Sequence, residues 1–153
     1  MVKKFMGEAI KEAKKALKKD EVPIGAVIVC DGKIIARAHN LMEKTQLATA
    51  HAEILAINKA CKKLKSWRLD NAELFVTIEP CAMCAGAIVN ARIKKVYFGA
   101  YESKSGCAES KFCVLTDSGL NHSTQFEGGV EQEICANIIK NYFKAKRIRK
   151  SLD

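Results

Sequence analysis

The sequence predicts an α/β fold: a three-layer α/β/α sandwich around a mixed five-stranded sheet. The main observation is the order of the patterns, which is a helix, a hairpin, and then strands and helices in alternation. The second is that 48% of the 153 residues are hydrophobic, which is enough for a core without disulfide bonds. Because no internal repeat or linker interrupts the chain, we expect residues 1–153 to form one domain.

The N-terminal part of the chain predicts a helix followed by a hairpin. Apolar residues recur at helical spacing over residues 2–19, and Val22-Pro23 ends that pattern. Two apolar runs, 24–30 and 33–38, then flank Asp31-Gly32, a dipeptide typical of tight hairpin turns.

Helical and strand patterns alternate through the rest of the chain. Helical spacing returns over residues 51–64, and a strand at 74–78 leads into Pro80, which is tolerated at the first position of a helix over 80–91. The remaining predicted elements are a strand at 95–98, a short helix near 109–115, a strand near 124–128 and a helix over 130–149. The expected buried residues are Ile54, Ile57, Cys61 and Leu64 in the helix over 51–64, and Ile134, Ile138, Tyr142 and Phe143 in the last helix.

The net charge of +9 lies entirely at the two ends of the chain. Residues 1–20 carry a net charge of +4 and residues 138–153 a net charge of +5, while the stretch between them is neutral. Basic ends around a neutral core suit a polyanion such as nucleic acid, although two solvated, lysine-rich helix faces would give the same pattern. No apolar run approaches the roughly 18 residues that span a bilayer, so we expect no membrane partner.

The seven cysteines predict a reduced compartment. Their number is odd and no secretion signal accompanies them, so we expect an intracellular, cytoplasmic protein. Cys30, Cys61 and Cys135 lie in apolar or helical patterns, where a thiol usually acts as a small buried hydrophobe. Cys107 and Cys113 lack a second close pair that would complete a metal site.

The other two cysteines belong to a cluster that carries chemistry. Cys81 and Cys84, three residues apart, and His51 all occur where a helix is predicted to begin. Two thiolates and one imidazole suit Zn²⁺, and three protein ligands leave one position for a water or hydroxide, which is typical of a catalytic site. Glu53 would then take a proton from the water and deliver it to a substrate from which ammonia leaves.

Each half of this pattern has a simpler interpretation. A C-x-x-C pair alone could be a redox pair or half of a structural zinc site, and a histidine at a helix start is often only a cap. Together, however, H-x-E at 51–53 and P-C-x-x-C at 80–84 match the known pattern of zinc-dependent base deaminases.

The chain resembles the bacterial tRNA-specific adenosine deaminases of the cytidine deaminase-like superfamily. Besides the two motifs, the similarity covers about residues 5–145, and its segments occur in that family's order. The segments are Glu21–Val27, His39-Asn40, Thr49–Ile54, Val76–Ala87, Phe98–Ala100 and Asn121-His122. The chain departs from the family's usual sequence at Leu47-Ala48, at Tyr101–Ser103 and at Ser123.

The resemblance implies a role for each motif residue. It implies one Zn²⁺ per chain, held by His51, Cys81 and Cys84, and a proton-shuttling role for Glu53. It also implies that Asn40 and Ile24 lie against a flipped base, and that a homodimer binds the anticodon loop of tRNA and converts wobble adenosine to inosine.

Two other functions remain open on the sequence. The altered residues after Ala100 would also suit a deaminase of a free nucleobase or nucleoside such as guanine, cytosine or adenosine. A non-catalytic, zinc-stabilised RNA-binding subunit is the third hypothesis. Glu53 argues against it, because an inactive relative would not need the proton shuttle.

Overall fold

The computed structural model describes residues 1–116 and 119–152. Its elements in chain order are α1 Val2–Lys18, β1 Gly25–Cys30, β2 Lys33–His39, α2 Met42–Thr45, α3 Ala52–Leu64, β3 Ala72–Ile78, α4 Ala82–Asn90, β4 Lys95–Ala100, β5 Gln125–Glu127 and α5 Gln132–Leu152. None of the helices in these two ranges combines the length and the apolar character needed to cross a membrane.

The five strands form one mixed sheet in the order β2-β1-β3-β4-β5. β1 pairs antiparallel with β2 and β3, whereas β3–β4 and β4–β5 are parallel. The predicted turn is present: Asp31 and Gly32 both have positive φ, at 51° and 75°, as the tight hairpin turn requires. The mixed five-stranded sheet is therefore confirmed.

The helices cover both faces of the sheet. On one face α3 and α4 pack on alternate strand residues that include Ile28, Leu74 and Val76. On the other face α1 and α5 pack on Val27 and Phe75. Because neighbouring strand residues point to opposite faces, this alternation gives two apolar layers and the predicted three-layer sandwich.

α1 lies close to the sheet because β1 begins with glycine. A Cβ at Gly25 would collide with backbone atoms of Ala9 and Ala13 in α1. The buried residues of α1 are mostly those with helical spacing in the sequence, and Phe5 contacts Phe75 of β3 at a ring-centroid distance of 5.3 Å.

Several local predictions were wrong. Residues 109–115 form turns and not a helix, whereas the four-residue helix α2 was not predicted. α4 begins at Ala82, so Pro80 precedes the helix and is not its first residue.

The buried faces of two helices also differ from the prediction. In α3 the buried residues are Ala52, Glu53, Ala56, Ile57 and Ala60, while Leu64 is 42% exposed. In α5 the buried residues are Cys135 and Tyr142, and the predicted Ile134 and Phe143 are largely exposed. Small residues allow α3 to approach the sheet, so its larger side chains lie at the margins of the contact.

Candidate active site

Two helix starts meet beyond the end of β3. His51 is the N-cap of α3 and Cys81 the N-cap of α4, both with extended backbone, and neither side chain caps its own helix. Cys84 lies in the first turn of α4 and is fully buried. Ligand sites in open α/β sheets commonly lie outside the carboxyl ends of strands, and this arrangement has that location.

The three predicted metal ligands lie together. The Nδ1 atom of His51 is 3.6 Å from Sγ of Cys81 and 3.4 Å from Sγ of Cys84. The three ligand atoms all lie within 4.8 Å of one another. Zn–S bonds of about 2.3 Å and Zn–N bonds of about 2.0 Å at tetrahedral angles would separate sulfur and nitrogen by about 3.5 Å. The spacing of this group therefore fits a tetrahedral metal ion, with Nδ1 as the imidazole ligand.

The electrostatics of the three predicted ligands favour a cation. Hydrogen bonding from Cys84, and secondarily from His51, lowers the pKa of the Cys81 thiol to about 4. The same hydrogen bond to Cys81, together with burial, raises the pKa of Cys84. Hydrogen bonding to Cys81 raises the pKa of His51. The three side chains share protons through these hydrogen bonds. A bound divalent cation would displace those protons, because thiolates and a neutral imidazole are the species that bind metal.

Glu53 lies next to the predicted ligands, in the first turn of α3. Its side chain is 2% exposed, and its Oε1 is the buried side-chain oxygen or nitrogen that has no hydrogen-bond partner among the residues described. Burial raises the pKa of this carboxyl to about 7. A buried carboxyl oxygen without a protein partner is suited to exchanging a proton with something bound in the site.

A cavity of about 150 Å³ lies at this site and is lined by four of the six predicted residues. His51, Glu53, Cys81 and Ile24 all line it. The cavity is smaller than the roughly 300–1,000 Å³ of drug-sized ligand sites, so it suits one small group of a substrate whose remainder lies outside.

The opposite walls of the cavity were not predicted from the sequence. They are formed by Glu79 at the end of β3, by Glu102 and Ser105 in the loop after β4, and by Ile139 and Phe143 of α5. The i, i+4 spacing of Ile139 and Phe143 places both on one side of α5, but nothing in the sequence distinguishes a wall of a cavity from a contact with the core.

Asn40 does not line the cavity and instead supports the start of α3. It is 3% exposed, and its Oδ1 accepts a hydrogen bond from the backbone amide of Ala52, at 2.7 Å, at the start of α3. Glu21 also anchors the loop between Asn40 and His51. Its carboxylate accepts hydrogen bonds from the backbone amides of Glu43 and Lys44 at the start of α2. Buried polar side chains therefore fix the approach to His51.

A basic groove adjoins the cavity. The groove is about 520 Å³ in volume and shares Glu102, Ile139 and Phe143 with the cavity. Its other lining residues are Lys104, Lys140 and Arg147. The groove therefore leads from the small cavity along the basic C-terminal helix.

Comparison with known proteins decides the family. Residues 2–147 match the model of the MafB19-like deaminases. The tRNA-specific adenosine deaminase of Bacillus subtilis (strain 168) is 51% identical over 146 residues, which cover 95% of this chain and 91% of that protein. The chain belongs to the tRNA-specific adenosine deaminase family. The tRNA-specific adenosine deaminase of Aquifex aeolicus is 44% identical to this deaminase over 143 residues, which cover 94% of each chain.

Solved structures of deaminases have the same fold as this protein. One comes from a study of A-to-I editing by tRNA:A34 deaminases at the wobble position of transfer RNA. It superposes with a TM-score of 0.85 at 44% identity, over 88% of this chain and 98% of that chain. The guanine deaminase of Bacillus subtilis is more distant, with a TM-score of 0.63 at 41% identity over 71% of this chain and 69% of that chain. The predicted cytidine deaminase-like fold is confirmed.

Proposed function

We propose that this deaminase hydrolyses adenosine to inosine at the wobble position of tRNA, releasing ammonia. The observation that carries the proposal is a group of three side chains that could hold a metal, beside a carboxyl with an unpartnered oxygen, at a cavity that adjoins a basic groove. The 51% identity to a tRNA-specific adenosine deaminase supports it. We also propose that residues 1–153 form one catalytic domain. The protein would act in the cytoplasm, where its substrate is.

The residues of the site fit one Zn²⁺ per chain. His51, Cys81 and Cys84 would hold it, since their donor set and spacing suit zinc. When bound, the ion supplies a Lewis acid that makes a water molecule more acidic at neutral pH.

Glu53 would perform the proton transfers. Its Oε1 takes a proton from the attacking water and passes it to the substrate, so that the amine on the sp² carbon leaves as ammonia. Burial raises the pKa of Glu53 to about 7, and a group that both accepts and donates a proton works best with a pKa near the working pH.

The size of the cavity favours a flipped base. A single base could enter the 150 Å³ space while its ribose and phosphates stay outside. Ile24 would contact the base from the wall of the cavity. Asn40 does not line the cavity, so its proposed place beside the base rests on the family resemblance alone, and its contact here is with the start of α3. Bases of an anticodon loop are already partly unstacked, which lowers the cost of flipping.

The basic groove would hold the phosphates next to that base. Lys104, Lys140 and Arg147 line it and could neutralise backbone charges. Phe143, 39% exposed where the groove meets the cavity, offers a face on which a neighbouring base could stack.

We also infer a homodimer, with RNA lying across both subunits. α4 supports this because its outward residues, Ala82, Met83, Gly86 and Ala87, are small or apolar and at least partly exposed. A second copy that packs on this face would bury it. Sedimentation should give a dimer mass for the wild type and a monomer mass for Met83→Glu; a wild-type monomer would contradict the inference.

The decisive experiment offers the zinc-loaded protein an anticodon stem–loop with adenosine in the first anticodon position, beside free adenosine, guanine and cytosine. Sequencing detects inosine in the stem–loop, and ammonia release detects turnover of the others. Inosine in the stem–loop alone is the expected result. An unchanged stem–loop with turnover of a free base would instead favour a metabolite deaminase, to which the similarity with guanine deaminase points.

A further inference from the structure

The loop after β4, residues 101–110, contains neither helix nor strand, although it supplies two walls of the cavity, Glu102 and Ser105. A loop without regular structure must satisfy its buried amides in another way. Most of those hydrogen bonds go to one side chain, that of Glu79.

Glu79 is 2% exposed, and both of its oxygens are fully used. Oε1 accepts the amide of Glu102 at 3.0 Å and the hydroxyl of Ser110. Oε2 accepts the amides of Ala108, Glu109 and Ser110, at 3.2, 2.9 and 2.9 Å. With five donors on two oxygens, the carboxylate has no free acceptor for a substrate proton, so its role differs from that of Glu53.

The backbone joins the same loop to the start of the cysteine-bearing helix. The amide of Glu79 donates to the carbonyl of Ala100 at 2.8 Å, and the amide of Cys107 donates to the carbonyl of Pro80 at 2.7 Å. A Cβ at Gly106 would collide with the Glu79 carboxyl, so the loop folds tightly around it. The loop can therefore move relative to Cys81 only if these contacts break.

We propose that Glu79 is a positioning residue that holds Glu102 and Ser105 in the wall of the cavity and thereby sets how well the substrate binds. The proposal rests on the deaminase function proposed above. Glu79 acts through the loop and not on the reacting atoms.

The substitution Glu79→Gln tests the positioning role selectively, because glutamine has the shape of glutamate but only one acceptor oxygen. In its best orientation the carbonyl oxygen faces the three amides of residues 108–110, and the NH₂ group faces the hydroxyl of Ser110. The amide of Glu102 then has no acceptor and faces an N–H donor. The substitution should therefore release the part of the loop that lines the cavity, while His51, Cys81 and Cys84 stay in place.

The experiment compares Glu79→Gln with wild type and with Glu73→Gln, a matched change on β3 at a half-buried glutamate outside the cavity. Steady-state kinetics on the anticodon stem–loop, well below the unfolding temperature, should show a KM raised about tenfold or more with kcat within about threefold. Zinc content should stay at one per chain, and Glu73→Gln should match the wild type.

Hydrogen exchange supplies a readout that needs no substrate. The amide of Glu102 should exchange faster in Glu79→Gln, whereas the amides of residues 108–110, of α3 and of α4 should not change. If Glu79→Gln does not fold, Gly106→Ala displaces the loop with the carboxylate intact and should raise KM in the same way.

Three results would overturn the proposal: unchanged KM in a folded Glu79→Gln, loss of zinc or of kcat at constant KM, or unchanged exchange of the Glu102 amide. A wild-type protein that leaves the stem–loop unmodified would instead refute the proposed function. Hydrogen exchange would still decide whether Glu79 holds the loop.

Discussion

Replacing Glu53 with glutamine should abolish turnover while the metal site stays intact. Glu53 is 2% exposed and its Oε1 has no protein partner, so an amide of nearly the same shape leaves no cavity and breaks no hydrogen bond of that oxygen. What the variant loses is the ability to accept and donate a proton next to the three ligands.

General acid–base catalysis typically contributes about 10²- to 10⁴-fold to a rate. We therefore expect kcat for the stem–loop to fall by that factor, which corresponds to about 3 to 5.5 kcal/mol of transition-state stabilisation. Burial opposes the charge of this carboxyl, as its raised pKa indicates, so a neutral amide should not lower the unfolding temperature.

The assay measures inosine formation by sequencing, zinc content by elemental analysis and unfolding by calorimetry. Glu73→Gln serves as the control, since Glu73 is half-buried and contacts Tyr97 on the sheet. If Glu53→Gln is fully zinc-loaded and retains more than about a tenth of the wild-type kcat, Glu53 is not the proton shuttle.

Three further predictions follow from the contacts of other residues. Cys84→Ser should lose zinc and unfold at a lower temperature; a full equivalent of zinc in the variant would contradict the ligand assignment. Burial opposes the charge of Glu12, but hydrogen bonds from Lys15 and His39 outweigh it and lower its pKa below the ordinary 4.5. Its stabilisation is present above pH 4.5 and lost as the pH falls through the lower folded-state pKa. Glu12→Gln should therefore cost about 1–3 kcal/mol near pH 7 and lose less on acidification than the wild type, as followed by urea unfolding. Arg147→Ala should weaken RNA binding and reduce the slope of log affinity against log salt by about 0.7, as measured by fluorescence anisotropy, whereas an unchanged slope would exclude a phosphate contact.

The ligand cluster could be predicted because it depends on local sequence. His51 and the Cys81–Cys84 pair each lie at a helix start that the apolar pattern identifies within one or two residues. Both helices pack on the same face of the sheet, so their starts meet at one edge once the strand order is fixed. The spacing within each motif already limits which side chains can share an ion.

The walls of the cavity could not be predicted in the same way. α5 packs on the sheet through Cys135. The neighbouring side of the same helix carries Ile139 and Phe143, which therefore line the cavity. Apolar spacing along a helix has the same form whether the apolar side contacts a core or a substrate. The prediction that Phe143 is buried was wrong for this reason.

The helix predicted near residues 109–115 is absent because of a contact distant in sequence. A helix that started there would need acceptors for its first amides. The amides of Ala108, Glu109 and Ser110 instead donate to a carboxylate about thirty residues earlier in the chain. Local propensity could not anticipate that competitor, because Glu79 reaches these amides only after β3 and β4 have paired. The Glu-Pro-Cys segment thus has two proposed roles: Cys81 would help to hold the metal, and Glu79 determines how the opposite wall folds. Sequence spacing indicates only the first of these roles, since a metal ligand has a recognisable partner nearby and an acceptor of scattered backbone amides does not.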